Sequence, residues 1–511
     1  MSDWNMGYNT DILYTTNYFS ELNPLHVRFS FLCQGYDFPT IDKNMTCCEL
    51  GFGMGLSLLI HSAAGPARWA GTDFAPSQAL YAQHMAKDAG LNTFICDDAF
   101  DQFLAREDLP QFDFIALHGI WSWIAPMFQE QILEFIKKRL KVGGVVYISY
   151  NNTPGFLALE PARHLMHEYA EFLGLGVERV KQMEIIKDFF KRLEQVAPLY
   201  YEYSPSMIKR MQDLFAQDEH YLIHEYFNDI WEVENRSDMV AKMRQAQLTY
   251  ITQPFAVEIQ KKSIFTPKQE ALFEKVNGTP VEQPLYDMLL NTQFTRDYYC
   301  RGPRRLNITE QIEKLEQSYF ISVRGEVHLG EKMGTKYSSD VVFEDESQVA
   351  LLNFLKDFKP HSYKEIKQAF SGEPLGQDAF LNVALMVSAN FGLILPVMPP
   401  HQVSRECKEQ CAKLNNLIFD NKYDNRVNFL ASPIAQGGFM LPSQMMVMLS
   451  LYNREKVRNE SDLIKRLKQG LSNKTIVTYD QLDSEQQDQE VRKTVREFMR
   501  LLPLYKSFGL C

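Results

Sequence analysis

One stretch constrains this chain more than any other: Cys47-Cys48-Glu49-Leu50-Gly51-Phe52-Gly53-Met54-Gly55-Leu56. An apolar run meets three alternating glycines, and a second apolar run follows. The stretch reads as the end of a buried strand, a tight turn and the start of a helix. Glycine allows backbone conformations that bring N–H groups and the positive end of a helix close to a ligand. The spacing decides what such a turn can hold. A dinucleotide fingerprint, G-x-G-x-x-G, would place its third glycine where Leu56 stands. The glycines instead fall at Gly51, Gly53 and Gly55, behind the acid Glu49. Taken alone, such a triplet is often only a tight turn. The next hundred residues decide the matter.

Residues 41–150 alternate strand and helix. Strands are expected over 45–50, 68–72, 93–96, 112–117 and 145–150, and helices over 55–63, 77–89 and 129–140. Alternation at this length indicates an α/β fold with a parallel, doubly wound sheet, whose ligands bind at the carboxyl ends of the strands. The polar residues fall at those ends. Asp73 closes the second strand, Asp98 follows the third, and His118 with Gly119 follows the fourth. Each acid alone suits a helix cap or a turn. Their ordered recurrence at successive strand ends favours a binding site.

Several segments resemble one family. Glu49-x-Gly51-x-Gly53-x-Gly55 is similar to motif I of class I methyltransferases. His118-Gly119-Ile120-Trp121-Ser122-Trp123 and Tyr150-Asn151-Asn152-Thr153-Pro154-Gly155 resemble the HGxxSW and YNxxPG stretches of bacterial methyltransferases with a methyltransferase regulatory domain. That family includes the rickettsial lysine methyltransferases that modify outer-membrane protein. Tyr8, Tyr14 and Pro24 resemble its opening segment. Tyr221 to Phe227 resembles the start of its regulatory domain, and Arg296-Asp297-Tyr298 with Arg301 and Arg304 a segment at that domain's end. The likeness covers residues 8–310. Leu56-Ser57 departs from it, since many relatives carry a further glycine and a polar residue there.

The resemblance implies a Rossmann-like class I methyltransferase domain that binds S-adenosylmethionine (SAM). Glu49 and the backbone of Gly51, Gly53 and Gly55 would hold the methionine end. Asp73 would hold the ribose hydroxyls, and Asp98 the adenine amine between Ala99 and Phe100. His118 would lie at the floor of the transfer site, as base or as a contact to the nucleoside. Tyr14, Tyr18, Trp121, Trp123 and Tyr150 are candidates for an aromatic wall around the methyl acceptor. It further implies a protein lysine acceptor, of an outer-membrane or surface protein before export, and a homodimer. A small-molecule or glycan methyltransferase, and a SAM-binding scaffold without turnover, are the alternatives.

The rest of the chain divides by composition. Residues 1–40 are aromatic-rich, and their spacing favours plain packing over a lid on the acceptor pocket. The sequence suggests the methyltransferase domain over 41–175, a helical linker and mixed α+β regulatory domain over 176–310, a winged-helix-like module over 311–400 and a helical C-terminal domain over 401–511. The module's third helix, from Asp378, carries no Lys or Arg to meet phosphates, so it reads as a packing or partner surface. A net charge of −11 argues against a nucleic-acid partner. The eight scattered cysteines suit a reducing cytoplasm. Neither Cys407/Cys411 nor His164/His167 has further ligands at metal spacing, so no metal is expected. No apolar run is long enough to span a membrane, and no leader sequence is evident, so a cytoplasmic protein is expected.

Overall fold

The computed structural model describes residues 16–174, 176–196, 198–254, 265–333, 341–390, 392–420, 427–472 and 484–511. Its centre is β1 (Thr46–Leu50), five residues buried end to end. β2 (Arg68–Thr72), β3 (Phe94–Cys96), β4 (Phe112–Leu117) and β5 (Leu140–Asn151) align parallel with it. β6 (Thr249–Thr252) and β7 (Phe294–Cys300) complete one sheet of order 3-2-1-4-5-7-6, in which β7 runs antiparallel to both neighbours. Strands buried on both faces are mostly apolar, and β1 and β4 read as near-continuous apolar runs broken by Glu49 and Asp113.

The helices follow the strands: α1 (Pro24–Cys33), α2 (Leu56–Ala64), α3 (Pro76–Ala89), α4 (Phe100–Ala105), α5 (Pro126–Arg139), α6 (Glu160–Leu173), α7 (Arg179–Gln195), α8 (Leu199–Tyr203), α9 (Ser206–Phe215), α10 (Glu219–Tyr226) and α11 (Arg236–Gln245). One face of the sheet packs Phe103, Ile132, Phe135 and Ile136 from α4 and α5 with Met239 and Met243 from α11. The other packs Val27 and Phe31 of α1 with Leu58 of α2 and Ala79 and Ala82 of α3. The outer sides of α2 and α3 are covered in turn by the C-terminal domain. There Leu59, Ala63 and Met85 share a core with Cys411, Leu414, Leu430 and Phe498.

The helical insertion α6–α10 leaves the sheet after β5 and has its own core, around Met166, Ile186, Met211 and Leu222. The chain then returns to the sheet through α11, β6 and β7. The boundary expected at 175/176 therefore divides one sheet: its last two strands come from within 176–310. Farther on, Glu346–Phe354, Tyr363–Ala369 and Asp378–Asn390 are helices beside a small sheet of Tyr319–Ser322, His361–Ser362 and Ile394–Val397. This is the order expected of a winged-helix-like module. Its third helix buries Leu381, Ala384 and Leu385 and leaves Phe380 and Val383 exposed.

A buried ion network ties the returning segment to the sheet. Arg236, at 1% side-chain exposure, donates Nη2 to Asp287 Oδ1 at 3.0 Å and Nε to Oδ2 at 3.2 Å. Its Nη1 lies 3.5 Å from Asp297 Oδ1, and the Tyr150 hydroxyl donates to Asp297 Oδ2 at 3.0 Å. Asn152 Nδ2 donates to Thr295 Oγ1 at 2.7 Å. A Cβ on Gly155 would come within 2.4 Å of the Thr292 carbonyl oxygen, so only glycine fits there. The Tyr150–Gly155 motif is thus the seam between β5 and β7. Removing one partner of such a network leaves buried charge uncompensated. Arg236→Met is expected to cost about 3–5 kcal/mol of stability in chemical denaturation. Arg304→Ala, which breaks an exposed pair with Asp37, should show no comparable loss.

Candidate active site

The carboxyl ends of β1, β2 and β4 open onto a cavity of about 340 Å³, within the usual range of small-molecule sites, roughly 300–1,000 Å³. The glycine turn forms its base. Gly51, Gly53 and Gly55 all have positive φ, at 67°, 58° and 74°. Side chains there would also collide: a Cβ on Gly51 would stand 2.6 Å from Ile120 Cγ2, and one on Gly55 2.9 Å from Ala82 Cβ. The turn thus brings β1 and α2 together more closely than any larger residue permits.

Asp73 fixes the turn from the next strand. Its Oδ2 accepts from Gly53 N–H at 2.7 Å, and its Oδ1 from Ala75 N–H at 3.1 Å. Glu49 lies beside it, 3% exposed, and its Oε2 is buried with no hydrogen-bond partner among the described residues. Burial, and then the neighbouring Asp73 charge, push Glu49 up to about 8. Burial likewise raises Asp73 to about 6, opposed by its two N–H donors. Two adjacent buried acids with one unsatisfied oxygen make a site for a cationic group.

The side walls are apolar. Ala99 and Phe100 face Ile120, Ile124, Met127 and Phe128 across the cavity, with Phe74 and Leu56 near the turn. At the β4 end, His118 stacks on Phe19 with centroids 3.5 Å apart and holds the Tyr147 hydroxyl at 2.8 Å through Nδ1. Burial lowers His118 to about 4; Glu21 opposes that shift and Arg296 adds to it. Glu21 itself is buried, and Arg296 Nε lies 2.8 Å from its Oε1. Burial would raise Glu21, but Arg296 and His118 outweigh it and hold the carboxyl below its usual range.

The structure places Glu49, Gly51, Gly53, Gly55, Asp73, His118 and Trp123 on the cavity. Four other expected residues sit elsewhere. Asp98 is not on the wall: Arg106 Nη1 engages its carboxylate at 2.9 Å, and Asp101 is the acid that lines the cavity there. Trp121 is fully buried and donates Nε1–H to Glu234 Oε1 at 3.2 Å, so it serves the core. Tyr150 belongs to the Asp297 network. Tyr18, from the aromatic N-terminal segment, turns to His61, 3.0 Å away, and packs under the C-terminal hairpin. Tyr14 lies outside the described residues. Its neighbours do more than pack, however: Asn17 and Phe19 line the cavity, and Phe19 N–H is held by Ser57 Oγ at 2.9 Å. Ser57 is the position that departed from the family pattern. Glu21, Tyr147 and Arg296 were missed as a group, because three distant elements bring them together and no local spacing announces them.

This strand order, with an acid–glycine turn at β1 and a second acid at β2, defines a class I methyltransferase fold. A model of the predicted methyltransferase regulatory domain matches residues 218–301. The structure of PKMT2 from Rickettsia typhi, solved in complex with AdoHcy, superposes with a TM-score of 0.71 at 17% identity, covering 97% of this chain and 100% of that one. An uncharacterized protein of Synechocystis sp. is 28% identical over 526 residues, 99% of each chain. An uncharacterized Rickettsia prowazekii protein is 24% identical over 312 residues, 58% of this chain and 53% of that one. The likeness of fold to PKMT2 thus extends over nearly the whole chain.

The His118 position makes a direct prediction. Its folded value of about 4 lies below the ordinary 6.5, so the unfolded chain takes up the proton first as pH falls. The ring should stay neutral at pH 5 in an NMR titration. Its contribution to stability, full above about 6.5, should decline as pH falls toward 4.

Proposed function

We propose that the chain is a SAM-dependent methyltransferase whose acceptor is a lysine side chain of a protein. The observation that carries the cofactor reading is the buried, unsatisfied Glu49 Oε2 beside the glycine turn. SAM ends in an amino acid, and Glu49 is the acceptor its ammonium requires. The N–H groups of Gly51, Gly53 and Gly55 already donate to the Thr72 carbonyl, Asp73 and the Phe52 carbonyl, so the adjoining carboxylate falls to the other N–H groups of the turn and the start of α2. Each Asp73 oxygen already accepts one backbone N–H and keeps a lone pair for a ribose hydroxyl. Phe100, Ala99 and Ile124 form a slot for a flat base, with Asp101 at its edge.

When bound, SAM supplies a methyl group on a good sulfonium leaving group. The protein then has to position the acceptor, remove its proton and keep water out. Phe19 and Trp123 supply apolar faces, and a lysine ammonium brought among them is driven toward the neutral amine by desolvation. The Tyr147 hydroxyl donates toward Glu21 Oε1 at 3.5 Å, so its oxygen accepts the Nδ1–H of His118. His118 Nε2 is then left with a lone pair for the acceptor amine. Arg296 neutralises Glu21, so the floor offers no strong anion to hold the amine in its charged form.

The lysine acceptor rests on the resemblance carried by residues 8–310 and on the similarity to PKMT2. So do a protein partner of the outer-membrane or surface class before export and a homodimer; a cytoplasmic location rests on the eight scattered cysteines. Among the described residues no helix is long and apolar enough to cross a membrane.

The test is transfer of labelled methyl from SAM to protein in a bacterial extract, with acid hydrolysis to identify the modified residue. Methyl-lysine is expected, and it should fall sharply with Glu49→Gln. Label only in small molecules, or none at all, contradicts the reading. Removing a charge-assisted pair at Glu49 costs about 1.5–3 kcal/mol, so SAM affinity should drop roughly 10- to 100-fold. A pH dependence follows as well. Glu49 near 8 is largely protonated at pH 7 and must lose that proton to pair with an ammonium. SAM binding at pH 7 should therefore release a proton, seen as buffer-dependent calorimetric heat, and affinity should rise from pH 6 toward the α-amino pKa of about 7.7–8.0.

A further inference from the structure

A second cavity, of about 530 Å³, lies where α1, the residues after Asp37, residues 314–319 and residues 396–402 meet. It is remote from the glycine turn and shares no lining residue with the first cavity. Its lining is more polar than apolar, with Phe29, Phe38, Tyr319 and Met398 giving it apolar faces, and three charged residues border it: Arg28, Glu316 and Lys314, the last already paired with Asp37.

Arg28 is the unusual residue. Its Nη2 donates to the Lys314 carbonyl at 3.4 Å, a long bond for a group with five N–H donors. Asp37, the acid whose charge acts on Arg28, is already taken. It accepts from Arg304 at 2.7 and 3.0 Å, from Lys314 Nζ at 2.9 Å and from Phe38 N–H at 3.0 Å. Burial lowers the Arg28 pKa, and Asp37 restores only part of it. Among the described residues neither Arg28 nor Glu316 forms an ion pair, although both border the same space. A half-buried guanidinium without an ion pair of its own suits an anionic partner. An acid on the same wall disfavours a simple anion but suits one that also carries an ammonium.

We propose that this cavity binds a free apolar α-amino acid. The carboxylate pairs with Arg28, the ammonium with Glu316, and the side chain rests among Phe29, Phe38, Tyr319 and Met398. The two cavities are joined by one segment of chain: Asn17 and Phe19, which line the first, precede α1, whose Leu25, Arg28 and Phe29 line the second. The proposal is independent of the reaction assigned above.

The test is calorimetric titration of L-phenylalanine into the full chain, beside 3-phenylpropionate, which lacks the ammonium, and phenethylamine, which lacks the carboxylate. L-Phenylalanine should bind once per chain. Each truncated probe should bind at least tenfold more weakly, and Arg28→Gln should remove binding. Thr40→Trp fills the cavity from an exposed position and leaves the guanidinium in place, so it too should remove binding even if Arg28→Gln impairs folding. Glu49→Gln should leave binding unchanged, which separates this site from the first cavity. No binding of L-phenylalanine, equal binding of either truncated probe, or binding retained in Thr40→Trp would overturn the proposal.

Discussion

The cavity at the glycine turn depends on one carboxylate. Asp73 is buried, and its two oxygens hold the Gly53 and Ala75 N–H groups, so the β1 turn and the β2 turn are fixed by one side chain. A carboxylate accepting backbone N–H bonds is held by charge-assisted contacts, stronger than neutral ones. Its position brings Glu49 alongside a second buried acid, and the mutual repulsion is relieved only by a proton or by an incoming cation. The left-handed conformations of Gly51, Gly53 and Gly55 are the backbone side of the same constraint. They open the space that the carboxylate organises.

The floor of the cavity is assembled differently. Glu21 comes from the N-terminal segment, His118 from the end of β4, Tyr147 from β5 and Arg296 from β7. β7 belongs to the segment matched by the regulatory-domain model, 218–301. That region is therefore no appended bead. It completes the central sheet, buries Arg236 against Asp287 and Asp297, and delivers the arginine that neutralises Glu21. The helical insertion α6–α10 is anchored at both ends to this sheet, between β5, which carries Tyr147, and the return that carries Arg296.

The fold was legible where local pattern and tertiary role coincide. Strand and helix alternated at the right lengths over 41–150, and every glycine of the turn serves the backbone conformation its spacing implied. Glu49 and Asp73 were found because strand ends point to them. Asp98 and Trp121 show the limit of that reasoning. Position after a strand brought Asp98 near the cavity, but Arg106, eight residues on, turns its carboxylate away. Trp121 sits two residues from Trp123, yet Glu234 holds it in the core while Trp123 reaches the wall. The β6–β7 return was hidden because more than ninety residues of helix and loop separate it from β5. Glu21 was hidden because its partners arrive only with that return.

The account stands or falls on what the glycine turn holds. Calorimetric titration of SAM and of NAD into the purified chain decides it most directly. The geometry of Glu49 and Asp73 predicts one SAM site per chain and no NAD binding. NAD binding without SAM binding would mean that the cavity is built for a dinucleotide, and the methyltransferase reading would have to be given up.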